Sequence, residues 1–215
     1  MKIKFGIAGT HSTGKTTLLD FVASRLGQDG YRVARVADLA TEAHAHGFPI
    51  LRGHTFESTL WIITRGISLE LEAELKADVV LVDRPVADAL GYLRAALGYR
   101  GESLPEQDTQ YLGDLVRVHS SRYSRLFKTQ IDPSLGIAED KVRDSDLSFR
   151  ELAAKGIDGV FSDLSIPFSS VPIDPVEAQE VVLEAIRLAL EGGTAKPVRI
   201  LSASRFWVEA ELPKG

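Results

Sequence analysis

The stretch Gly9-Thr10-His11-Ser12-Thr13-Gly14-Lys15-Thr16-Thr17 decides the reading of this chain. It fits the pattern G-x-x-x-x-G-K-[ST] at every specified position. Before it runs Ile3-Lys4-Phe5-Gly6-Ile7-Ala8, an apolar run of strand length. After it comes Leu18-Leu19-Asp20-Phe21-Val22-Ala23-Ser24-Arg25-Leu26, with apolar residues at helical spacing. Strand, Gly-rich turn and helix form the context that turns a pattern match into a structural expectation, a P-loop.

The chemistry follows from the residue types. Gly9 and Gly14 let the backbone curl around an anion with no Cβ in the way. The N–H groups of the loop, with Thr13 among them, then point inward, and the helix N-terminus adds partial positive charge. Lys15 is expected to reach the β- and γ-phosphates of ATP, the Thr16 hydroxyl to sit on Mg²⁺, and Thr17 to meet the α-phosphate. His11 lies within the loop, where side chains usually point away from the phosphates, and is given no role.

Outward from this motif, strand signals alternate with helical ones. Strands are expected at Tyr31–Val36, Val79–Asp83, Arg125–Thr129 and Gly159–Ser162. Helical patterns cover Phe56–Lys76, Val86–Leu97, Gln107–Ser121, Asp146–Lys155 and Val176–Glu191. The alternation predicts a three-layer α/β P-loop NTPase fold, with a parallel five-stranded sheet and helices on both faces. Ligands then bind at the carboxyl ends of the strands. Residues 1–192 are expected to form this domain. The run Gly192-Gly193-Thr194-Ala195-Lys196-Pro197 opens a C-terminal extension, 193–215, too short to be a domain.

Composition sets limits. The chain has 215 residues, a formal net charge of −5 and no cysteine. Disulfides, zinc–thiolate sites and thiol chemistry are therefore absent. The acidic balance argues against a large nucleic-acid footprint. The chain opens on a core strand, and no apolar run approaches membrane length, so no membrane partner is expected and a cytoplasmic protein is the default.

Val79-Val80-Leu81-Val82-Asp83-Arg84 puts an acid and a base at the end of a buried strand. An acid there holds Mg²⁺ in P-loop proteins, usually through water. Arg84 beside it suits a phosphate or a substrate hydroxyl. Asp83 has a second reading, as the cap of a helix beginning near Pro85.

The segment Asp83-Arg84-Pro85-Val86-Ala87-Asp88-Ala89-Leu90-Gly91-Tyr92 resembles the Asp-Arg segment of thymidylate and deoxynucleoside kinases. In those families the Arg sits between donor phosphate and acceptor. Asp88 stands where thymidylate kinases often have Ser, and Pro85 where they have Tyr. Asp140-Lys141-Val142-Arg143-Asp144-Ser145-Asp146-Leu147-Ser148-Phe149-Arg150 resembles the lid of small P-loop proteins that include the nicotinamide riboside kinase domain of NadR-type proteins, a group sometimes filed with AAA-type ATPases. The resemblance implies a lid at about 135–150, with Arg143 catalytic and Arg150 on the nucleotide. Arg supplies planar, always-charged donors for the charge that develops in phosphoryl transfer. Asp146 and Arg150 also stand at i,i+4, as on a solvated helix.

Nucleoside kinases carry a carboxylate just after the second strand, where this chain has Asp38. The resemblance makes Asp38 the general base or the residue that orients the hydroxyl. An N-cap role before Leu39–Ala45 is the other reading. The leading expectation is an ATP-dependent kinase acting on a nucleoside-like or nucleotide acceptor, with room for a homodimer. The alternative is a P-loop ATPase or a regulatory nucleotide-binding module. A GTPase would need an Asn-Lys-x-Asp motif, and the chain contains no Asn. His44, His46 and His54 show no metal-ligand spacing. Phe56, Leu60, Ile63 and Ile67 read as core, Trp61 and Tyr92 read first as core and second as lining of an acceptor pocket, and Glu70, Glu72 and Glu74 read as a solvated face.

Overall fold

The computed structural model describes residues 3–11, 13–131 and 147–192. The lid segment up to residue 146, Arg143 within it, and the extension 193–215 lie outside the described residues.

Five strands form one sheet in the order β2-β3-β1-β4-β5, every pair parallel. They are β1 (Ile3–Ala8), β2 (Val33–Val36), β3 (Val79–Asp83), β4 (Arg125–Lys128) and β5 (Ser169–Ser170). The helices are α1 (Lys15–Gln28), α2 (Ala40–Ala45), α3 (Phe56–Lys76), α4 (Val86–Arg100), α5 (Glu106–Ser120), α6 (Leu147–Asp163) and α7 (Pro175–Leu190), with a 3-10 turn at Leu51–Gly53.

The central strands are buried on both faces, so they read as continuous apolar runs, yet the pleat still sorts their side chains. Ile3, Phe5 and Ile7 of β1, with Val79 and Leu81 of β3, pack toward α1 and α7. Val80 and Val82 pack the other way, into a core with α3, α4, α5 and α6. The sheet thus lies between two helical layers.

Local signals set the helix ends. Thr55 and Ser58 form a reciprocal capping box at the start of α3. Asp174 accepts from the N–H groups of Val176 and Glu177, ahead of Pro175 at the first position of α7. α4 ends on Gly101 at φ 67°, a left-handed stop.

α4 and α6 touch backbone to backbone. A Cβ on Gly156 would lie 2.3 Å from the Gly91 carbonyl oxygen, and one on Gly91 would lie 2.5 Å from the Ile157 side chain. Here the structure corrects the sequence reading. Gly159–Ser162 is not a strand but part of α6. Ala153, Ile157, Val160 and Phe161 are buried at helical spacing against α4. The fifth strand is Ser169–Ser170 instead, paired to Phe127 and Lys128.

Glu70 is a second correction. It is 1 % exposed, not part of a solvated face. Lys4 projects from mid-β1 into the core and needs a counter-charge. Its Nζ lies 2.9 Å from Glu70 and 2.8 Å from Glu74. His119 Nε2 lies 2.7 Å from Glu70 Oε2, and the Tyr123 hydroxyl donates to Oε1 at 2.5 Å. Burial alone would push the Glu70 carboxyl up, but the His119 and Tyr123 bonds and the Lys4 charge hold it below its ordinary value.

Candidate active site

The loop between β1 and α1 opens on Gly9 at φ 139° and closes on Gly14 at φ 76°. A Cβ on Gly9 would fall 2.2 Å from Thr129 Oγ1, so only glycine fits. Thr129, just past β4, ties the sheet to the loop. Its hydroxyl donates to Ala8 O at 3.1 Å and lies 2.8 Å from Thr13 Oγ1. No side chain caps the start of α1. Its first N–H groups therefore remain for an anion. Thr17 is the third residue of α1.

Lys15 is buried. Its Nζ donates to Thr10 O and to Thr13 Oγ1, the latter at 3.2 Å. The ammonium thus folds back on carbonyl and hydroxyl oxygens of its own loop. Burial lowers its pKa to about 7, Arg84 adds to the fall, and Asp83, Asp88 and Asp38 work against it.

Thr16 Oγ1 donates to Asp83 Oδ2 at 2.9 Å. The Asp83 carboxylate is buried, and its Oδ1 has no hydrogen-bond partner among the described residues. The residue at the N-cap of α4 is Pro85, and no side chain caps that helix, so Asp83 does not serve there. A hydroxyl beside a carboxylate with a bare oxygen is a hard-oxygen pair that suits Mg²⁺. Among the described residues no group of three or more His, Cys, Asp or Glu could hold a metal alone. A cation at Thr16 and Asp83 would complete its shell with phosphate oxygens and water.

Arg84 takes φ 67°, rare for a side-chain-bearing residue. Its N–H donates to Ile7 O at 3.2 Å and its Nε to Asp38 Oδ2 at 2.8 Å. Its guanidinium carbon lies 5.0 Å from the centre of the Tyr92 ring. Burial opposes the charge, but Asp38, Tyr92 and Asp88 hold the group well above its ordinary range. Asp38 Oδ1 meanwhile accepts from the Ala40 N–H at 3.0 Å, holding the turn into α2. Asp38 therefore braces the turn ahead of α2, whose N-cap is Leu39, and is the partner of Arg84.

Beside this pair a cavity opens past the ends of β2 and β3. Val36, Leu39, Ile50, Ile63 and Val86 give it apolar walls, and Asp38, Arg84, Asp88, His11, His54 and Tyr92 give it polar groups. Burial drives the His54 pKa down to about 4, and its Nδ1 sits 3.0 Å from Leu51 O. A second groove flanks the loop on its other side, lined by Thr17, Leu18, Gln130, Val171, Pro172 and Ile173. Arg150 is 2 % exposed in the first turn of α6. It follows Phe149, whose ring centre lies 6.3 Å from that of Tyr92.

The structure thus brings Gly9, Thr13, Gly14, Lys15, Thr16, Asp83, Arg84 and Asp38 to one end of the sheet. It adds Asp88, to which the sequence assigned no role, and puts Tyr92 on the cavity wall. Asp88 Oδ2 accepts the Gly9 N–H at 3.0 Å, and the Tyr92 hydroxyl accepts the His11 N–H at 3.2 Å. Asp88 and Tyr92 stand at i,i+4 on α4, so one helix face braces the first half of the loop. That spacing was the available signal.

Comparison with known proteins agrees with this architecture. A protein family described as an AAA domain matches residues 4–179. No curated protein matches the chain. Among solved structures, deoxyadenosine kinase from M. mycoides with bound dATP superposes at a TM-score of 0.60 with 14 % identity, covering 86 % of this chain and 99 % of that one. NadR protein in complex with NR superposes at 0.62 with 16 % identity, covering 93 % of this chain but 53 % of that one. At such identities the likeness is one of fold. No helix among the described residues is long and apolar enough to cross a membrane.

Proposed function

The chain belongs to this AAA-domain family and has the P-loop fold of nucleoside kinases, and from that premise we propose that it moves the γ-phosphoryl group of ATP to a hydroxyl of a nucleoside-like or nucleotide acceptor. One observation carries the reading. The Arg84–Asp38 ion pair lines a largely apolar cavity that also reaches His11 of the phosphate loop. A hydrolase needs only water beside its γ-phosphate, whereas a transferase needs a dry pocket for a second substrate.

The roles follow from position. Backbone N–H groups at Thr13, Gly14 and the start of α1 would cradle the phosphates, those of Gly9 and His11 being held by Asp88 and Tyr92, with the Thr13 and Thr17 hydroxyls as neighbouring donors. Lys15 would exchange Thr10 O and Thr13 Oγ1 for phosphate oxygens, a shift of partners rather than of place. Thr16 and Asp83 would hold Mg²⁺, which when bound offsets negative charge on the phosphates. Arg84 would meet the charge that develops on the transferring group. Asp38 would fix the Arg84 guanidinium and orient the acceptor hydroxyl. The groove of Leu18, Val171 and Ile173 would take the nucleotide base.

The names of the two structural neighbours supply the first acceptors to try, deoxyadenosine and nicotinamide riboside. Incubation with ATP and a panel of nucleosides and nucleoside monophosphates, followed by mass spectrometry, is expected to show one phosphorylated product. Steady ATP hydrolysis with no phosphorylated alcohol would overturn the kinase reading in favour of a P-loop ATPase.

A further inference from the structure

Phosphoryl transfer leaves the hydroxyl proton needing a destination. Asp38 has both oxygens engaged, one by the Ala40 N–H and one by Arg84 Nε. Asp83 accepts from Thr16. The bare Oδ1 of Asp83 is the oxygen left for the cation, which leaves Asp88. It sits in the first turn of α4, 1 % exposed, and lines the same cavity as Arg84, Asp38 and Tyr92. Its Oδ2 accepts the Gly9 N–H at 3.0 Å, while its Oδ1 is buried with no hydrogen-bond partner among the described residues. A buried carboxylate oxygen left bare is unfavourable unless a ligand or a proton meets it.

We propose that Asp88 Oδ1 meets the reacting hydroxyl of the acceptor and takes its proton as the phosphoryl group moves. The proposal rests on the kinase reading above. The acceptor O–H bond breaks and its proton passes to Asp88. The acceptor oxygen forms a bond to the γ-phosphorus, and the bond to the β–γ bridging oxygen breaks, its electron pair leaving with ADP. Asp88 then releases its proton to solvent with the product.

The surroundings suit this role. The charged groups acting on Asp88 are Arg84 and Asp83 from the end of β3 and Lys15 from α1, and Asp38 after β2, His11 in the loop, His54 ahead of α3 and Tyr92 on α4 line the same cavity. α6, packed on α4 through Phe149, brings Arg150 at its next position. Burial raises the Asp88 carboxyl to about 7, against the pull of Arg84, Lys15 and the Gly9 N–H. A base is most effective when its affinity for protons matches the working pH.

Asp88 also pins Gly9, so the test must separate pinning from proton transfer. Asp88→Asn keeps a carbonyl oxygen for the Gly9 N–H and removes the basic carboxylate. Asp88→Ser is a second variant that can still accept that bond. Single-turnover transfer from γ-labelled ATP to deoxyadenosine and nicotinamide riboside is followed between about pH 5.5 and 9. With ATP bound, whose phosphates keep Lys15 charged, the native protein is expected to gain rate through an apparent pKa near neutrality. Both Asp88 variants are expected to lose about 100-fold or more in rate, and that rising limb, with ATP affinity held within about threefold. Asp38→Asn should be slower yet keep the limb. An Asp88→Asn protein that transfers at the native rate, or keeps the limb, would overturn the proposal alone. No transfer by the native protein to any alcohol would remove the kinase reading and this proposal together.

Discussion

Thr16 and Asp83 stand 67 positions apart and meet through one hydrogen bond, Oγ1 to Oδ2 at 2.9 Å. They meet because β1 and β3 are parallel neighbours, with Ile7 in register with Asp83 and the loop leading straight into α1. A cation at this point would find its hydroxyl and its carboxylate already side by side.

Replacing Asp83 by Asn should therefore raise the Mg²⁺ concentration needed for half-maximal activity by about 10- to 100-fold, as loss of a group ordering a metal shell does. A Mg²⁺ titration of initial rate checks this. An unchanged midpoint would return Asp83 to a purely structural role.

Lys15→Ala should lower turnover by about 10²- to 10³-fold or more, the loss expected for a preorganised charge partner. The partners of Lys15 lie within its own loop, so the thermal unfolding midpoint should move little. Near-native turnover in the folded variant would contradict the phosphate role.

Arg84 joins two effects that substitution can part. Arg84→Ala and Arg84→Gly both remove the guanidinium, and both should slow transfer more than they weaken ATP binding. Only glycine accepts φ 67° freely, so Arg84→Gly should be the more stable of the two by about 1 kcal/mol. Denaturant titration of both variants, beside their single-turnover rates, reads the two effects separately. Equal stability would mean that the strain is relieved elsewhere.

Gly156→Ala adds one methyl group where the Gly91 carbonyl oxygen stands 2.3 Å away. Two helix backbones must part, and the expected cost is about 1–3 kcal/mol. α4 carries Asp88 and Tyr92, so the same change should also weaken ATP binding. Unfolding curves and nucleotide titrations of this variant, with Gly98→Ala as an open-site control, test both halves.

Glu70→Gln should cost about 3 kcal/mol at neutral pH, the usual scale for breaking a buried ion pair, and lower the melting point by about 6–12 °C. The folded carboxyl lies below its ordinary 4.5. Its contribution is therefore complete above that value and is lost as pH falls through the folded pKa. The native protein and the variant should converge in acid. A gap that persists there would mean that packing, not charge, sets the difference.

The phosphate loop, the strand before it and the Asp-Arg pair after β3 were legible because each is written in consecutive residues. The two-residue strand β5 was not. Two serines leave no apolar signature, and β5 exists because Phe127 and Lys128 present a free edge to it. Val160 and Phe161 look like a short strand in isolation, and only contact with α4 shows their helical period. Glu70 reads as surface because its partners, Lys4, His119 and Tyr123, come from distant parts of the chain. Asp88 and His54 were overlooked for the same reason. What marks them is what they face, and that is a property of the folded cavity.

α4 is a wall shared by two compartments. Through Asp88 and Tyr92 it grips Gly9 and His11 of the phosphate loop, and the same two side chains line the cavity behind Arg84. A molecule that settles against that wall from either side changes the energy of settling on the other. Thermodynamic reciprocity would then fix the size: on the proposed reading, whatever factor ATP applies to the affinity of an acceptor, the acceptor must apply to the affinity of ATP.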